Sequence, residues 1–146
     1  MTSIDLPQSA ARCLAAVLLV LLCRAATAAP APEVLDIDLS PLIDQSVQHP
    51  TRFAVDVPHR VSTANAGTWT QSGTSSTWTY SIRIPTAVSM SFHASSVNLP
   101  PSAVLTVTGK NGVSASYRAR DVARGGLWSR PLAGDSLMLS LSQSAA

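Results

Sequence analysis

The sequence has few of the residues on which disulfide frameworks and most catalytic or metal sites depend. Its 146 residues include two cysteines, 12% charged residues and 5% aromatic residues. Both cysteines, Cys13 and Cys23, lie in one apolar N-terminal run, so the rest of the chain has no thiol. A disulfide-stapled fold and a cysteine-ligated zinc site are therefore excluded for residues 29–146.

Charge is sparse and balanced. From Ala29 onward the chain has eight Lys and Arg residues against seven Asp and Glu residues, a balance of +1. Nucleic acids and anionic membranes are bound through clustered positive charge, so this balance predicts neither as a partner. His49, His59 and His93 are spaced unlike metal ligands, and no Gly-rich phosphate loop is present. We therefore expect no metal site and no cofactor.

Residues 1–28 are typical of a secretory signal peptide. Arg12 precedes the apolar run CLAAVLLVLLC, and Ala26-Thr27-Ala28 has the small-x-small pattern of a cleavage site. The apolar run is eleven residues long, about half of the roughly twenty that a membrane-spanning helix needs. We expect cleavage before Ala29, secretion to the periplasm or the extracellular space, and no membrane contact after cleavage.

The remainder divides into two parts. Residues 29–50 combine prolines and acids without a helical or strand period, which predicts an extended leader. Residues 51–146 consist of short runs rich in Val, Thr, Ser and Ile between turn residues, which is typical of an all-β domain. About seven or eight strands at roughly ten-residue spacing, without a crossover helix, predict an antiparallel β-sandwich.

Two-residue alternation predicts half-buried strands over residues 77–84, 87–93 and 136–142, with shorter candidates at residues 52–58 and at Leu127-Trp128. Asn111-Gly112 predicts a tight hairpin turn, and Gly73 a looser one. Pro85 and Pro100-Pro101 are expected to blunt sheet edges, which favours a monomer. The side chains predicted to face the core are those of Trp78, Tyr80, Ile82, Ile84, Val88, Met90, Phe92, Leu137, Leu139 and Leu141.

The segment Gly134-Asp135-Ser136 has the same three residues as the segment that contains the nucleophile of trypsin-like serine proteases. A serine nucleophile needs a histidine base and a carboxylate that orients it, and none of the three histidines lies in a catalytic motif. No Gly-Gly follows Ser136 to form an oxyanion loop. We interpret the segment as a turn, with an unusual backbone angle at Gly134 and a capping role for Asp135, and predict no catalytic residue.

The tryptophans Trp69, Trp78 and Trp128 allow two interpretations. Aromatic side chains at strand spacing usually pack in a core, which is the interpretation that we favour. Exposed ones can instead form a stacking platform for sugar rings, and Trp69 and Trp128 are the candidates for such a binding surface. The facing of Trp69 is not fixed by the sequence, because GTWTQ is short.

Several short segments follow one another in a characteristic order between about residues 51 and 141. They are Arg52-Phe53-Ala54-Val55, Gly67-Thr68-Trp69, Trp78 with Ile82 and Ile84, Ala87-Val88-Ser89-Met90-Ser91-Phe92, Leu99-Pro100-Pro101 before Leu105-Thr106-Val107, Gly126-Leu127-Trp128-Ser129, and Gly134-Asp135. In this order they resemble the non-catalytic N-terminal region of secreted bacterial lysyl endopeptidase-like serine proteases, which have the trypsin fold. The chain departs from this family at Ser140 and Ser142, because the family often has a glutamate in the strand after the Gly-Asp turn.

The resemblance implies a β-sandwich propeptide-like module that accompanies export, folding or latency of a protease domain, which is thus the implied partner. It also implies a catalytic domain after Ala146, whose histidine, aspartate and serine motifs this sequence does not contain. A stand-alone prodomain, a truncated gene product and a separately encoded module that binds glycans or a protein surface stay open. In each case we expect a secreted protein that is not itself an enzyme.

Overall fold

The computed structural model describes residues 31–38, 40–41 and 54–144. The predicted signal peptide, most of the predicted leader and the start of the strand predicted at residues 52–58 lie outside the described residues. Within the described part, nearly all regular structure is β, so the all-β prediction is confirmed. The strands are β1 (Glu33–Val34), β2 (Thr68–Ser72), β3 (Ser75–Arg83), β4 (Ser89–Met90), β5 (His93–Ala94), β6 (Val104–Gly109), β7 (Ser114–Tyr117), β8 (Leu127–Trp128), β9 (Leu132–Ala133) and β10 (Ser136–Ser144), with a short 3-10 helix at Ala119–Asp121.

Six strands form the main sheet. The strand order is β1, β3, β10, β6, β7, and β2 also pairs with β3, on the residues nearest the β2–β3 turn. All pairs are antiparallel except that β1 runs parallel to β3. The main sheet is therefore mixed, whereas we predicted an antiparallel one. The difference comes from Glu33–Val34 in the predicted leader, which pairs with Ile82 and Arg83 beyond the end of β2.

The longest alternating segments form the two central strands of this sheet. In β3 the side chains of Trp78 and Tyr80 are buried, and in β10 that of Leu137 is buried while Met138 is exposed on the other face. The predicted alternation of these strands is confirmed. β3 and β10 pair along their whole length, with residues such as Tyr80 and Leu139 directly opposite each other. Opposite residues point to the same side of a sheet, so Trp78, Tyr80 and Leu137 share one face.

The single strand predicted at residues 87–93 is wrong. The segment forms two short strands with different partners: β4 pairs with β9, and β5 pairs with β8. Val88 precedes the first of these ladders and is 88% exposed, although we predicted it to face the core. Met90 is buried as predicted. Ala54 to Pro58, within another predicted strand, have no strand structure.

Both predicted hairpins are present, but their turns differ from the prediction. At the Asn111-Gly112 hairpin, Gly112 has φ +78° and donates its N–H to the Gly109 carbonyl (3.0 Å), while Asn111 has no positive φ. This is a three-residue loop in which Gly takes the left-handed position, and it is longer than the tight turn that we predicted. The Gly73 hairpin is the tight one, since Ser72 pairs directly with Ser75.

The core lies where one face of the main sheet meets the two short ladders. Leu105, Val107 and Leu137 of the main sheet cluster with Leu127 and with Met90 and Leu132 of the ladders. Each fully buried aliphatic side chain contributes roughly 1.5–3 kcal/mol by leaving water. This packing fixes the β5–β8 ladder against the main sheet, which matters because that ladder displays the most exposed tryptophan.

Candidate functional site

Trp128 and His93 form an exposed stacked pair on the β5–β8 ladder. The two residues lie directly opposite each other in the ladder. Their ring centroids are 4.0 Å apart with 20° between the ring planes. Trp128 is nevertheless 74% exposed, so its indole presents a large apolar surface to the solvent. We name this pair the Trp128 platform.

Burial of Leu127, the neighbour of Trp128 in β8, fixes the Trp128 platform to the core. β8 is only two residues long, and strand alternation turns Leu127, 2% exposed, into the core and Trp128 outward. Just after β8, Ser129 donates its N–H to the Phe92 carbonyl (2.9 Å) and its hydroxyl accepts the Phe92 N–H (2.8 Å). These bonds hold the backbone beside the Trp128 platform, and the stacking contact with His93 orients the indole.

Arginines are concentrated in the segment that carries the platform. Between residues 118 and 130 there are four arginines, Arg118, Arg120, Arg124 and Arg130, all exposed, against one acid, Asp121. The Asp121 carboxylate accepts the backbone N–H of Arg118 (2.7 Å) and so holds the local turn. The charge balance of +1 from Ala29 onward does not reveal this cluster. A count over short windows of the sequence finds it.

The other two tryptophans lie on β2 and β3 of the main sheet and differ in exposure. Trp78 is 4% exposed, donates its indole N–H to the Ala66 carbonyl (2.7 Å) and stacks on Tyr80 with centroids 5.8 Å apart. The core interpretation therefore holds for Trp78. Trp69 pairs with Trp78 across the β2–β3 ladder, is 44% exposed and donates its indole N–H to the Thr63 carbonyl (3.0 Å). Among the described residues, no contact joins Trp69 to Trp128, the two candidates for the binding surface.

Three titratable side chains join β1, β3 and the segment before β2. The Tyr80 hydroxyl donates to Oε2 of Glu33 (2.8 Å) and lies 3.0 Å from Nε2 of His59, whose N–H it can accept. Nε2 of His59 is also 3.4 Å from Oε1 of Glu33. An open groove of about 360 Å³ runs beside Glu33 and Tyr80. Burial, together with the Glu33 carboxylate, raises the pKa of Tyr80, so the phenol stays protonated and acts as a hydrogen-bond donor rather than a base.

The Gly134-Asp135-Ser136 segment is the turn into β10. Gly134 has φ +113°, which is the unusual angle that we predicted there. Asp135 is buried, and its carboxylate pairs with Arg83 (2.9 Å) and Lys110 (3.0 Å) instead of capping the turn. Ser136 starts β10 opposite Arg83. Among the described residues, no hydrogen bond joins Ser136 to His59 or His93.

No metal centre is found within residues 31–38, 40–41 and 54–144, because no three His, Cys, Asp or Glu side chains come together there as ligands. In the same part of the chain, no helix has the length and apolar character needed to cross a bilayer.

Comparison with protein-family models, with curated proteins and with solved structures finds no match for this chain.

Proposed function

We propose that the chain is an exported, non-catalytic β-sandwich module that binds another protein through the Trp128 platform, with a lysyl endopeptidase-like protease domain of the trypsin fold as its partner. In this proposal the main sheet is one layer of the sandwich and the two short ladders belong to the other. The order of the sequence segments supports the class of partner. The exposed Trp128–His93 pair is the single structural observation that supports binding as the activity.

The platform has the properties of an interface anchor. Tryptophan and arginine are the residues most enriched among those whose truncation weakens protein complexes, typically by about 2 kcal/mol or more for the strongest. Trp128 offers an exposed indole stacked on His93, and the exposed arginines of residues 118–130 surround it in the sequence. A buried aromatic centre with a charged rim is the usual anatomy of such interfaces. The proposed partner surface is therefore an apolar pocket bordered by acidic side chains.

The test is refolding of a protease domain in the presence of the chain. A lysyl endopeptidase-like catalytic domain is denatured and refolded with and without the exported product of the full-length gene, and the regained activity is measured on a lysyl amide substrate. The same mixtures are assayed with the native domain to detect inhibition. We expect a higher yield of active enzyme, inhibition of the native enzyme, or both.

Two variants locate the contact. Trp128→Ala is expected to raise the concentration that gives half of the effect at least tenfold, which corresponds to about 1.4 kcal/mol. Val113→Ala, which truncates another exposed apolar side chain in the β6–β7 hairpin, is the matched control and is expected to behave as the unaltered chain. If an excess of the chain changes neither refolding nor activity, the protease-partner proposal is wrong.

A second candidate function is glycan binding, and the same platform supports it. One face of the indole stacks on His93 while most of the side chain is open to the solvent. The apolar C–H face of a pyranose ring packs on such an open π face, and arginines can donate to its hydroxyl groups. Titration of tryptophan fluorescence with soluble β-glucan and chitin oligosaccharides tests this function. A saturable change that Trp128→Ala removes would support it, and a flat titration would exclude these sugars.

A further inference from the structure

Within the described residues, β2 forms an edge of the main sheet. It pairs with β3 on one side, and no described strand pairs with its other side. All five of its residues, Thr68–Ser72, are exposed. A free strand edge presents unpaired N–H and C=O groups, to which another strand can bind.

This edge lacks the usual protection against pairing. The sequence of β2, TWTQS, contains no charged residue and no proline. Pro85 and Pro100-Pro101, which we expected to blunt the sheet edges, follow β3 and precede β6 and so lie outside β2. The opposite edge strand, β7, is four residues long and is flanked by Lys110 in its hairpin loop and by Arg118 directly after it. The expectation of a monomer therefore has no basis at the β2 edge.

The hydrogen bonds around β3 establish which groups of β2 point outward. Leu35, on the β1 side, donates to the Arg83 carbonyl (2.9 Å), whereas Ile84 donates to the Asp135 carbonyl (2.8 Å) on the β10 side. Alternate residues of a strand direct their backbone groups to the same side, so the odd-numbered residues of β3 face β1 and β2. Thr77 therefore faces its partner Thr70. It follows that the backbone groups of Trp69 and Gln71 point away from the sheet.

The outward groups are self-complementary. In an antiparallel pair of two copies centred on Thr70, Trp69 of each copy lies opposite Gln71 of the other. Both residues direct their N–H and C=O groups to the partner, so two hydrogen-bonded pairs form with about four N–H···O bonds. The Thr70 side chains meet at the two-fold axis, and no like charges face each other across the pair.

We infer that β2 is a self-association edge, and that two copies of this chain join their main sheets by antiparallel β2–β2 pairing around Thr70. The contact is isologous, as two-fold association requires. It is small beside the roughly 800 Å² per partner of a standard interface, so the dimer is weak and concentration-dependent. This inference is independent of the Trp128 platform and of the proposed partner.

Sedimentation velocity of the exported full-length product over a broad concentration range measures the association. Gln71→Pro removes an outward N–H without breaking the β2–β3 ladder, and we expect at least tenfold weaker association. Ser116→Pro is the matched control. The three-residue hairpin loop places the N–H of Ser116 on the outer edge of β7, and we expect this variant to associate as the unaltered chain does.

Charge substitutions at the axis distinguish pairing from a general loss of structure. Thr70→Lys and Thr70→Glu each place like charges opposite one another, so each alone is expected to be monomeric. An equimolar mixture of the two is expected to recover the dimer, which an unfolded variant could not do. A chain that stays monomeric at the highest concentration overturns the inference, as does equal weakening by Gln71→Pro and Ser116→Pro.

Discussion

The Nε atom of Arg83 lies 2.9 Å from Oδ2 of Asp135, at the end of the main sheet where β3 and β10 begin to pair. Nζ of Lys110, in the hairpin loop after β6, lies 3.0 Å from Oδ1 of the same carboxylate. One buried carboxylate thus links three neighbouring strands. The ammonium group of Lys110 and the guanidinium group of Arg83 lower the pKa of Asp135 from its ordinary value. The Gly-Asp-Ser segment therefore has a structural role at this end of the sheet.

Asp135→Asn is expected to destabilise the fold in a pH-dependent way. Because the folded-state pKa of Asp135 is lowered, its stabilising effect is present above the ordinary carboxyl pKa and is lost as the pH falls through the folded-state value. The difference in unfolding free energy between the unaltered chain and this variant is thus largest near neutral pH and shrinks below about pH 4.

Urea unfolding at neutral and acidic pH measures this difference. Asp56→Asn replaces an exposed acid and is the control, for which we expect little change at either pH. A stability difference for Asp135→Asn that stays constant across the pH range would contradict the assigned role of the ion pairs.

Gly67→Ala is expected to be among the most destabilising alanine substitutions. A Cβ at this position would lie 2.5 Å from Nε1 of Trp78 and 2.7 Å from the Thr79 carbonyl oxygen. Gly112 has nearly the same φ, +78° against +76°, but a Cβ there meets nothing within 4 Å. Gly112→Ala therefore shows the backbone strain alone, about 1–2 kcal/mol. Gly67→Ala adds the overlap, typically about 1–3 kcal/mol more, and urea unfolding that shows equal losses would refute this.

The strands that the sequence predicts correctly are long, and each pairs with the same neighbouring strand along its length. β3 and β10 are each nine residues long and pair with each other at every position, so their apolar face repeats often enough in the sequence to be identified. The segment around Val88 and Phe92 also alternates, but it changes partner between two ladders of two residues each. Alternation over so few residues does not distinguish a continuous strand from two short ones, because the exchange of partners is decided by tertiary packing.

The candidate site depends on contacts between residues that are distant in the sequence. Trp128 was one of two surface candidates, but a two-residue strand has no period from which its facing could be read. Its stacking partner, His93, lies in another strand, so the contact depends on the pairing of β5 with β8. The pairing of Glu33 and His59 with Tyr80 was missed for the same reason, since Glu33 lies in the predicted leader.

Tyr80→Phe is expected to change the alkaline limb of the stability profile. The raised pKa of Tyr80 in the folded state means that the stability it contributes is present below the ordinary tyrosine pKa of about 10 and is lost as the pH rises towards the folded-state value. The unaltered chain should therefore lose stability above about pH 10 more steeply than the variant. Near neutral pH the variant should be less stable by about 0.5–1.5 kcal/mol for each hydrogen bond of the hydroxyl, which donates to Glu33 and lies within hydrogen-bond distance of Nε2 of His59.

Chemical unfolding between neutral pH and about pH 11 measures both effects. Tyr117→Phe is the control, since it removes another hydroxyl, which accepts the Arg130 N–H at 2.8 Å, but keeps Tyr80. We expect this control to retain the steep alkaline loss. Parallel curves for the unaltered chain and Tyr80→Phe would show that the phenol is not buried against Glu33 as described.

Trp128→Phe is expected to remove the most solvent-accessible component of the tryptophan fluorescence. Because Trp128 is 74% exposed and Trp78 is 4% exposed, acrylamide should quench the first indole much more efficiently than the second. The substitution should change the unfolding free energy by no more than about 0.5 kcal/mol, as for most surface substitutions. Trp69→Phe, at 44% exposure, should give an intermediate loss of quenching. If Trp128→Phe leaves the quenching constant unchanged, the indole is covered in solution, and neither a protein partner nor a glycan could use the platform as we propose.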